Sequence, residues 1–313
     1  MNMRPITSLE PKYLGMLAPE AAVDLFRRLL WAEAHRAGIG PALISVPGAV
    51  NSSDGGIDAE IADVPDKPQG GLLFPGLTRY QIKTGAFSAG NDSEMKELFL
   101  KEKSKEIKDR VRTCFERGGT FMAVLFGSDP PDRTDGELST ACQEFIGRYE
   151  PGFRNCPIRI LRQNRIAGFL DRHLALALQA EMKTFPNLRT HDQWRGEIES
   201  LGALKVGAPQ NAFINRVRAE LRQSVATHLC IWGEPGIGKT RLLYEATGID
   251  DLSSAITYFR PPQALEQSGV VDELVRNVSK SAIVVVDDCS PRDREDFWRQ
   301  LKALVLLGHK RMP

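Results

Sequence analysis

Gly233-Glu234-Pro235-Gly236-Ile237-Gly238-Lys239-Thr240 is the stretch whose residue types and spacing most directly imply chemistry. It reads G-x-x-x-x-G-K-T, a pattern in which glycines let successive backbone N–H groups converge on phosphates. In that pattern the lysine reaches the β- and γ-phosphates and the threonine hydroxyl holds Mg²⁺. An apolar run, Leu229-Cys230-Ile231-Trp232, precedes it, and Arg241 to Ala246 follow with helical spacing. A strand, a glycine-rich turn and a helix in that order aim the positive end of the helix dipole at an anion. Gly233 to Arg241 are therefore expected to bind a nucleotide with Mg²⁺. The run Ala282-Ile283-Val284-Val285-Val286-Asp287-Asp288 supplies the expected partner, an apolar strand that delivers a carboxylate to the phosphate end of a sheet. Asp287 is assigned to the Mg²⁺ shell beside Thr240, and Asp288 to polarising an attacking water.

A second constellation lies in the first half of the chain. Asp58 follows Gly55-Gly56-Ile57, and Gln81-Ile82-Lys83 comes later in an alternating segment. On adjacent antiparallel strands Asp58, Gln81 and Lys83 can share one face, because Gln81 and Lys83 are two apart. A carboxylate and an amide oxygen can hold Mg²⁺ near a scissile phosphate. A lysine beside them can stabilise or deprotonate the attacking water as charge builds on phosphorus.

The elements that must position these residues follow from periodicity. Residues 19–37 place Val23, Phe26, Leu29, Leu30 and Ala34 on one helical face, with Pro19 suited to the first turn and Gly38 as a stop. Strands are expected at 42–46, 57–61 and 78–84, with a turn at 51–56 and a Gly/Pro-rich loop at 65–76. Residues 92–117 read as one long charged helix, in which lysines and glutamates alternate as i,i+4 pairs on a solvated face. The uninterrupted apolar run 120–126 reads as a strand buried on both faces. A helix at 136–149, a strand at 157–161 and a closing helix at 165–182 complete a first domain over 1–187.

Residues 186–209 are polar, weakly periodic and bounded by prolines, so 188–210 is expected to be a connector. A helix at 211–225 then leads into the phosphate-loop strand. A strand at 255–259, a helix at 270–279, a buried strand at 281–288 and a helix at 293–307 make up a second domain over 211–313.

Composition bounds what the chain can be. At 313 residues it can hold two domains with sizeable cores. A formal charge of +1 shows no global commitment to nucleic acid, so any basic groove is local. The five cysteines are scattered, odd in number and without a C-x-x-C pair, which argues for reduced thiols rather than a disulfide framework or zinc site. No run approaches the roughly 20 apolar residues of a membrane span, and residues 1–20 lack the apolar core of a signal peptide. A soluble, cytoplasmic protein without membrane partners is expected.

Asp58 with Gln81-Ile82-Lys83, in this order of elements, resembles the PD-(D/E)XK nuclease superfamily and within it the Mrr-like restriction endonucleases, which use D…Q-x-K. The resemblance covers roughly 17–178 and implies a restriction-endonuclease-like αβββαβ domain that cuts DNA. In that family an acidic residue on the first helix often completes the metal site. Glu20 and Asp24, four apart, are the candidates here, with Glu20 preferred.

The Walker A and B pair behind an effector-like domain resembles the STAND class of signal-transduction ATPases, although Asp287-Asp288-Cys289-Ser290-Pro291 departs from the commonest D-G-x-D-E form. The fold class expected is thus α/β, with the nuclease domain followed by a partial P-loop NTPase of three-layer α/β/α type. A P-loop sheet normally continues past this point, so the chain reads as the N-terminal part of something longer. The combination implies a bacterial antiviral protein in which a C-terminal sensor recognises a phage protein. ATP-dependent homo-oligomerisation then brings nuclease domains together on double-stranded DNA. Two rivals stand beside this reading. One is a regulatory ATPase whose first domain is an inactive nucleic-acid-binding or interaction module, and the other is an ATP-driven restriction enzyme.

Overall fold

The computed structural model describes residues 9–45, 57–64, 71–87, 89–127, 133–180, 188–199, 204, 206–223, 228–260, 262–277 and 279–309. Several sequence expectations lie outside the described residues: the turn at 51–56, loop residues 65–70, strand end 46, and helix residues 181–182, 224–225 and 278. The chain is of mixed α/β construction and divides into two units, Glu10–Phe169 and Leu170–Pro313 with Met1–Leu9.

In the first unit, α1 (Pro19–Arg36) has Pro19 in its first turn, where a missing N–H costs no helical bond. It turns Leu25, Phe26, Leu29 and Leu30 inward. Strands β1 (Ile44–Ser45), β2 (Ala59–Val64) and β3 (Gly76–Lys83) follow, then helices α2 (Asp92–Phe99) and α3 (Asp109–Glu116). After them come β4 (Thr120–Leu125), α4 (Asp135–Tyr149), β5 (Ile158–Arg162) and α5 (Gln163–Leu170). The sheet order is β1-β2-β3-β4-β5, antiparallel through β3 and parallel from β3 onward.

Side-chain alternation sorts the two faces of this sheet. Tyr80 meets Phe26 of α1 at 5.4 Å between ring centroids, so α1 covers the Tyr80 face. Phe121, Ala123 and Leu125 point the other way, into a core with Leu98 and Phe99 of α2, Val111 and Phe115 of α3, and Phe145 of α4. β4 is therefore enclosed on both sides, and all six of its residues are buried, as its apolar run required.

The single long helix expected over 92–117 is instead two short ones. Lys101-Glu102-Lys103-Ser104-Lys105-Glu106 contains no apolar residue that could hold a continuing helix to the core. Leu100 and Ile107, by contrast, are both buried and pair across an antiparallel bridge. The chain reverses between them, with Lys105 in the left-handed region at φ 57°. The expected closing helix at 165–182 likewise divides into α5 and α6 (Leu174–Ala180). The boundary between units falls at that division, because Leu174 and Leu178 pack into the second core.

The second unit continues with β6 (Leu188–Thr190), α7 (His191–Glu199), α8 (Ala208–Leu221), α9 (Lys239–Thr247) and α10 (Asp250–Ser253). It is completed by β7 (Ile256–Phe259), α11 (Gln263–Ser268), α12 (Val270–Arg276), β8 (Ile283–Val286) and α13 (Pro291–His309). Its sheet runs β6-β7-β8, with β6 antiparallel and β8 parallel to β7. Ile256 and Tyr258 face Trp194 and Ile198 of α7 and Tyr244 of α9. Phe259 faces Leu174, Leu265, Val270 and Phe297. The connector expected at 188–210 thus contains an edge strand and a packed helix. Trp194 is the main reason: fully buried, it anchors the segment together with Leu188 and Ile198.

Candidate functional site

The glycine-rich loop of the second unit runs into α9, and its glycines occupy positions that other residues rarely adopt. Gly236 and Gly238 have φ 79° and 89°, and Gly238 is the N-cap of the helix. At Gly233 a Cβ would come 3.2 Å from Ile237 Cγ2, so the loop closes tightly on itself. Residues 232–237 are exposed, and Gly238, Lys239 and Thr240 are half-buried. Lys239 Nζ donates to the carbonyls of Gly233 at 3.0 Å and Glu234 at 2.9 Å, which curls the ammonium back over the loop.

Behind the loop, residues from two distant motifs meet. Thr240 Oγ1 donates to Asp287 Oδ2 at 3.0 Å. Tyr258 Oη donates to the same oxygen at 2.9 Å, while the Asp288 N–H donates to Asp287 Oδ1 at 3.0 Å. Burial first, and the Asp287 carboxylate next, push the Tyr258 phenol well above its ordinary range, so it remains a donor. Burial likewise pushes the adjacent Cys289 thiol up to about 11, which keeps it from acting as a thiolate nucleophile near neutrality. Asp288, at φ 55°, ion-pairs with Arg260 at 2.9 Å. Both partners are exposed, so this surface pair leaves the carboxylate within reach of solvent. Arg241, next in the expected nucleotide-binding set, donates to Glu245 at 2.8 Å and to the Ile198 carbonyl at 2.9 Å.

The run 229–232 is not a strand. It lies instead beside α13. His228 stacks on Trp298 at 4.4 Å, and Arg294 sits 3.5 Å over the Trp232 ring and 3.4 Å from Cys230 Sγ. These stacking and cation–π contacts replace the backbone ladder expected there. β8 is correspondingly less enclosed than its sequence suggested, with Val285 buried and Ile283, Val284 and Val286 only half-buried.

In the first unit the expected trio sits where β2 and β3 part. Ala59 is opposite Tyr80 and Glu60 opposite Arg79, and the Arg79–Glu60 ion pair at 2.6 Å confirms their common face. One residue further, the Asp58 N–H donates to the Tyr80 carbonyl at 2.8 Å. The Asp58 carboxylate then accepts from the Ile82 N–H at 2.6 Å, taking the place of a ladder carbonyl. Gln81 is buried, on the same face of β3 as Lys83. Lys83 Nζ donates to Glu97 Oε1 of α2 at 2.5 Å and lies 5.4 Å from the centre of the Phe87 ring.

The structure brings Asp58, Gln81 and Lys83 to one strand junction but leaves the first-helix acids elsewhere. Glu20 is exposed on α1, the helix that covers the Tyr80 face, opposite to Gln81 and Lys83. Asp24 is bonded to Arg27 and Arg28 of its own helix. Glu97, which the sequence placed among solvated helix charges, is the acid that does reach the trio. Tyr258 was equally hidden, read only as part of an apolar strand. Its one signal was a tyrosine where phenylalanine would fill the same space. Among the described residues no group of three or more His, Cys, Asp or Glu side chains converges as a metal cage. Compared with protein-family models, with curated proteins and with solved structures, the chain matches none of them.

Proposed function

We propose that this chain carries a metal-dependent DNA endonuclease gated by an ATP-binding switch of the STAND type, acting in bacterial defence against phage. The first unit is read as restriction-endonuclease-like and the second as a P-loop NTPase. The observation that carries the reading is the 3.0 Å bond between Thr240 and Asp287. Two motifs 47 residues apart meet beside a glycine loop. The donor set fits Mg²⁺ with a nucleotide: a hydroxyl and a carboxylate, with phosphates completing the shell. At the other site Asp58 and the Gln81 amide would hold Mg²⁺ with substrate phosphate, since this ion is usually bound by one or two carboxylates plus phosphates. Bound there, Mg²⁺ supplies charge stabilisation for phosphoryl chemistry. Lys83 then offsets charge developing on the scissile phosphate. Double-stranded DNA, a phage protein and further copies of the protein are the proposed partners, in the cytoplasm.

A second reading, a regulatory ATPase with an inactive binding module, draws on the pairing of Lys83 with Glu97 and the lack of a carboxylate cage among the described residues. One experiment separates them. Activated full-length protein is incubated with supercoiled plasmid, Mg²⁺ and ATP, alongside its Lys83→Ala variant. Nicking that disappears in Lys83→Ala while a gel shift persists supports the nuclease. A gel shift without nicking by the unsubstituted protein supports the binding module, and nicking that survives Lys83→Ala refutes Lys83 chemistry.

A further inference from the structure

Asp287 is held by more than the motif residues. Its Oδ2 accepts two hydrogen bonds, from Thr240 of α9 and from Tyr258 of β7, and its Oδ1 accepts the Asp288 N–H. Three donors from three segments leave the carboxylate little rotational freedom. Tyr258 is itself immobilised. It is 2% exposed, and its ring stacks on the Trp194 indole at 4.2 Å with 13° between planes. Trp194 in turn meets Tyr244 of α9 edge-on at 5.3 Å, and Tyr244 stacks on His191 at 4.5 Å. The hydroxyl therefore cannot swing off Asp287 without moving an aromatic stack seated on α7 and α9.

Packing alone does not require a hydroxyl in this place. A phenylalanine would stack on Trp194 as well and would avoid burying a polar group. Among the described residues the oxygen has one hydrogen-bond partner, Asp287. We propose that Tyr258 is a positioning residue for the cation–nucleotide site, holding Asp287 aimed at Thr240 so that the pair meets Mg²⁺ preorganised. This rests on the P-loop reading above. A carboxylate short of one donor samples other rotamers, and reordering it must be done at the expense of cation affinity.

The test is titration calorimetry of ATP into the full chain, once with excess MgCl₂ and once with EDTA. The unsubstituted protein is expected to gain affinity with Mg²⁺. In Tyr258→Phe that gain should shrink by about tenfold, the worth of one hydrogen bond to a charged group, while affinity in EDTA is unchanged. Trp194→Phe keeps a ring against Tyr258 and is expected to keep most of the gain. An undiminished gain in Tyr258→Phe overturns the proposal. So does a parallel fall with and without Mg²⁺, or a loss in Trp194→Phe as large as in Tyr258→Phe, since either marks packing rather than aim. Absence of ATP binding by the unsubstituted protein overturns the P-loop reading itself, and that outcome is distinct from the others.

Discussion

Replacing Lys239 with alanine tests the phosphate loop with a magnitude that can be worked out. The ammonium donates to two loop carbonyls, Gly233 and Glu234, and pairs with no carboxylate among the described residues. A nucleotide offers it phosphate oxygens in exchange, and a hydrogen bond between charged groups is worth about 1.5–3 kcal/mol net. Taking about 2.8 kcal/mol, Lys239→Ala weakens ATP binding about 100-fold. With ATP at about 100 times the unsubstituted Kd, the ligand stabilises the fold by about 2.7 kcal/mol, and for the variant by about 0.4 kcal/mol. At roughly 2–4 °C per kcal/mol for domains of about 150–250 residues, an ATP-induced rise in Tm of about 5–10 °C falls to about 1 °C.

Thermal unfolding followed by fluorescence, with and without ATP and Mg²⁺, reads this directly. Without ATP the variant should unfold within about 0.5 kcal/mol of the unsubstituted protein, because the lysine is half-buried and bonds only to a loop. A full ATP-induced shift in Lys239→Ala would refute the assignment. So would a large loss of stability without ATP, which would make the lysine a structural clasp for the loop.

Two further outcomes probe the first unit. Phe121 is fully buried against Phe99 at 5.2 Å and Phe115 at 6.4 Å, so Phe121→Ala should cost about 3–5 kcal/mol, read as a lower urea midpoint. The α4 capping box makes the pH prediction: the Thr134 N–H first, and its hydroxyl next, hold the Glu137 carboxyl below its ordinary range. A depressed carboxyl stabilises above its unfolded pKa, and the contribution is lost as pH falls through the folded one. Protection factors at Glu137 and Leu138, corrected for the intrinsic slowing of exchange at low pH, should accordingly fall on acidification, and Glu137→Gln should remove that pH dependence.

What could be read in advance was decided by local chemistry. The loop was legible because left-handed backbone at Gly236 and Gly238 is written directly as glycine. β4 was legible because a central strand covered on both faces needs apolar residues at every position. The reversal at Lys101–Glu106 was not, since a run of alternating charge suits a solvated helix and a solvated turn equally. Only the distant burial of Leu100 and Ile107 decides between them. The 188–199 segment was missed for the same kind of reason. Its stability comes from Trp194 stacked on Tyr258, 64 residues away, while its own composition reads as a linker.

The candidate sites divide along the same line. Asp58, Gln81 and Lys83 could be paired from strand register, whereas Glu97 arrives on a helix that periodicity had drawn as solvent-facing. Its arrival changes the electrostatics of the proposed chemistry. Lys83 is 19% exposed and bonded to Glu97, which is 59% exposed. Water reaches the pair on the Glu97 side and screens it there, so a phosphate can compete for the lysine. Lys239 shows a similar economy at the other site, satisfied by carbonyls that a nucleotide can replace. In both places a lysine assigned to phosphate already has weak, exchangeable partners. That arrangement avoids the cost of an unpaired cation while holding little affinity back from the ligand. Glu97 differs from the carbonyls in carrying full charge. A phosphate approaching Lys83 would meet that charge as well, whereas the loop carbonyls would oppose a nucleotide only as dipoles.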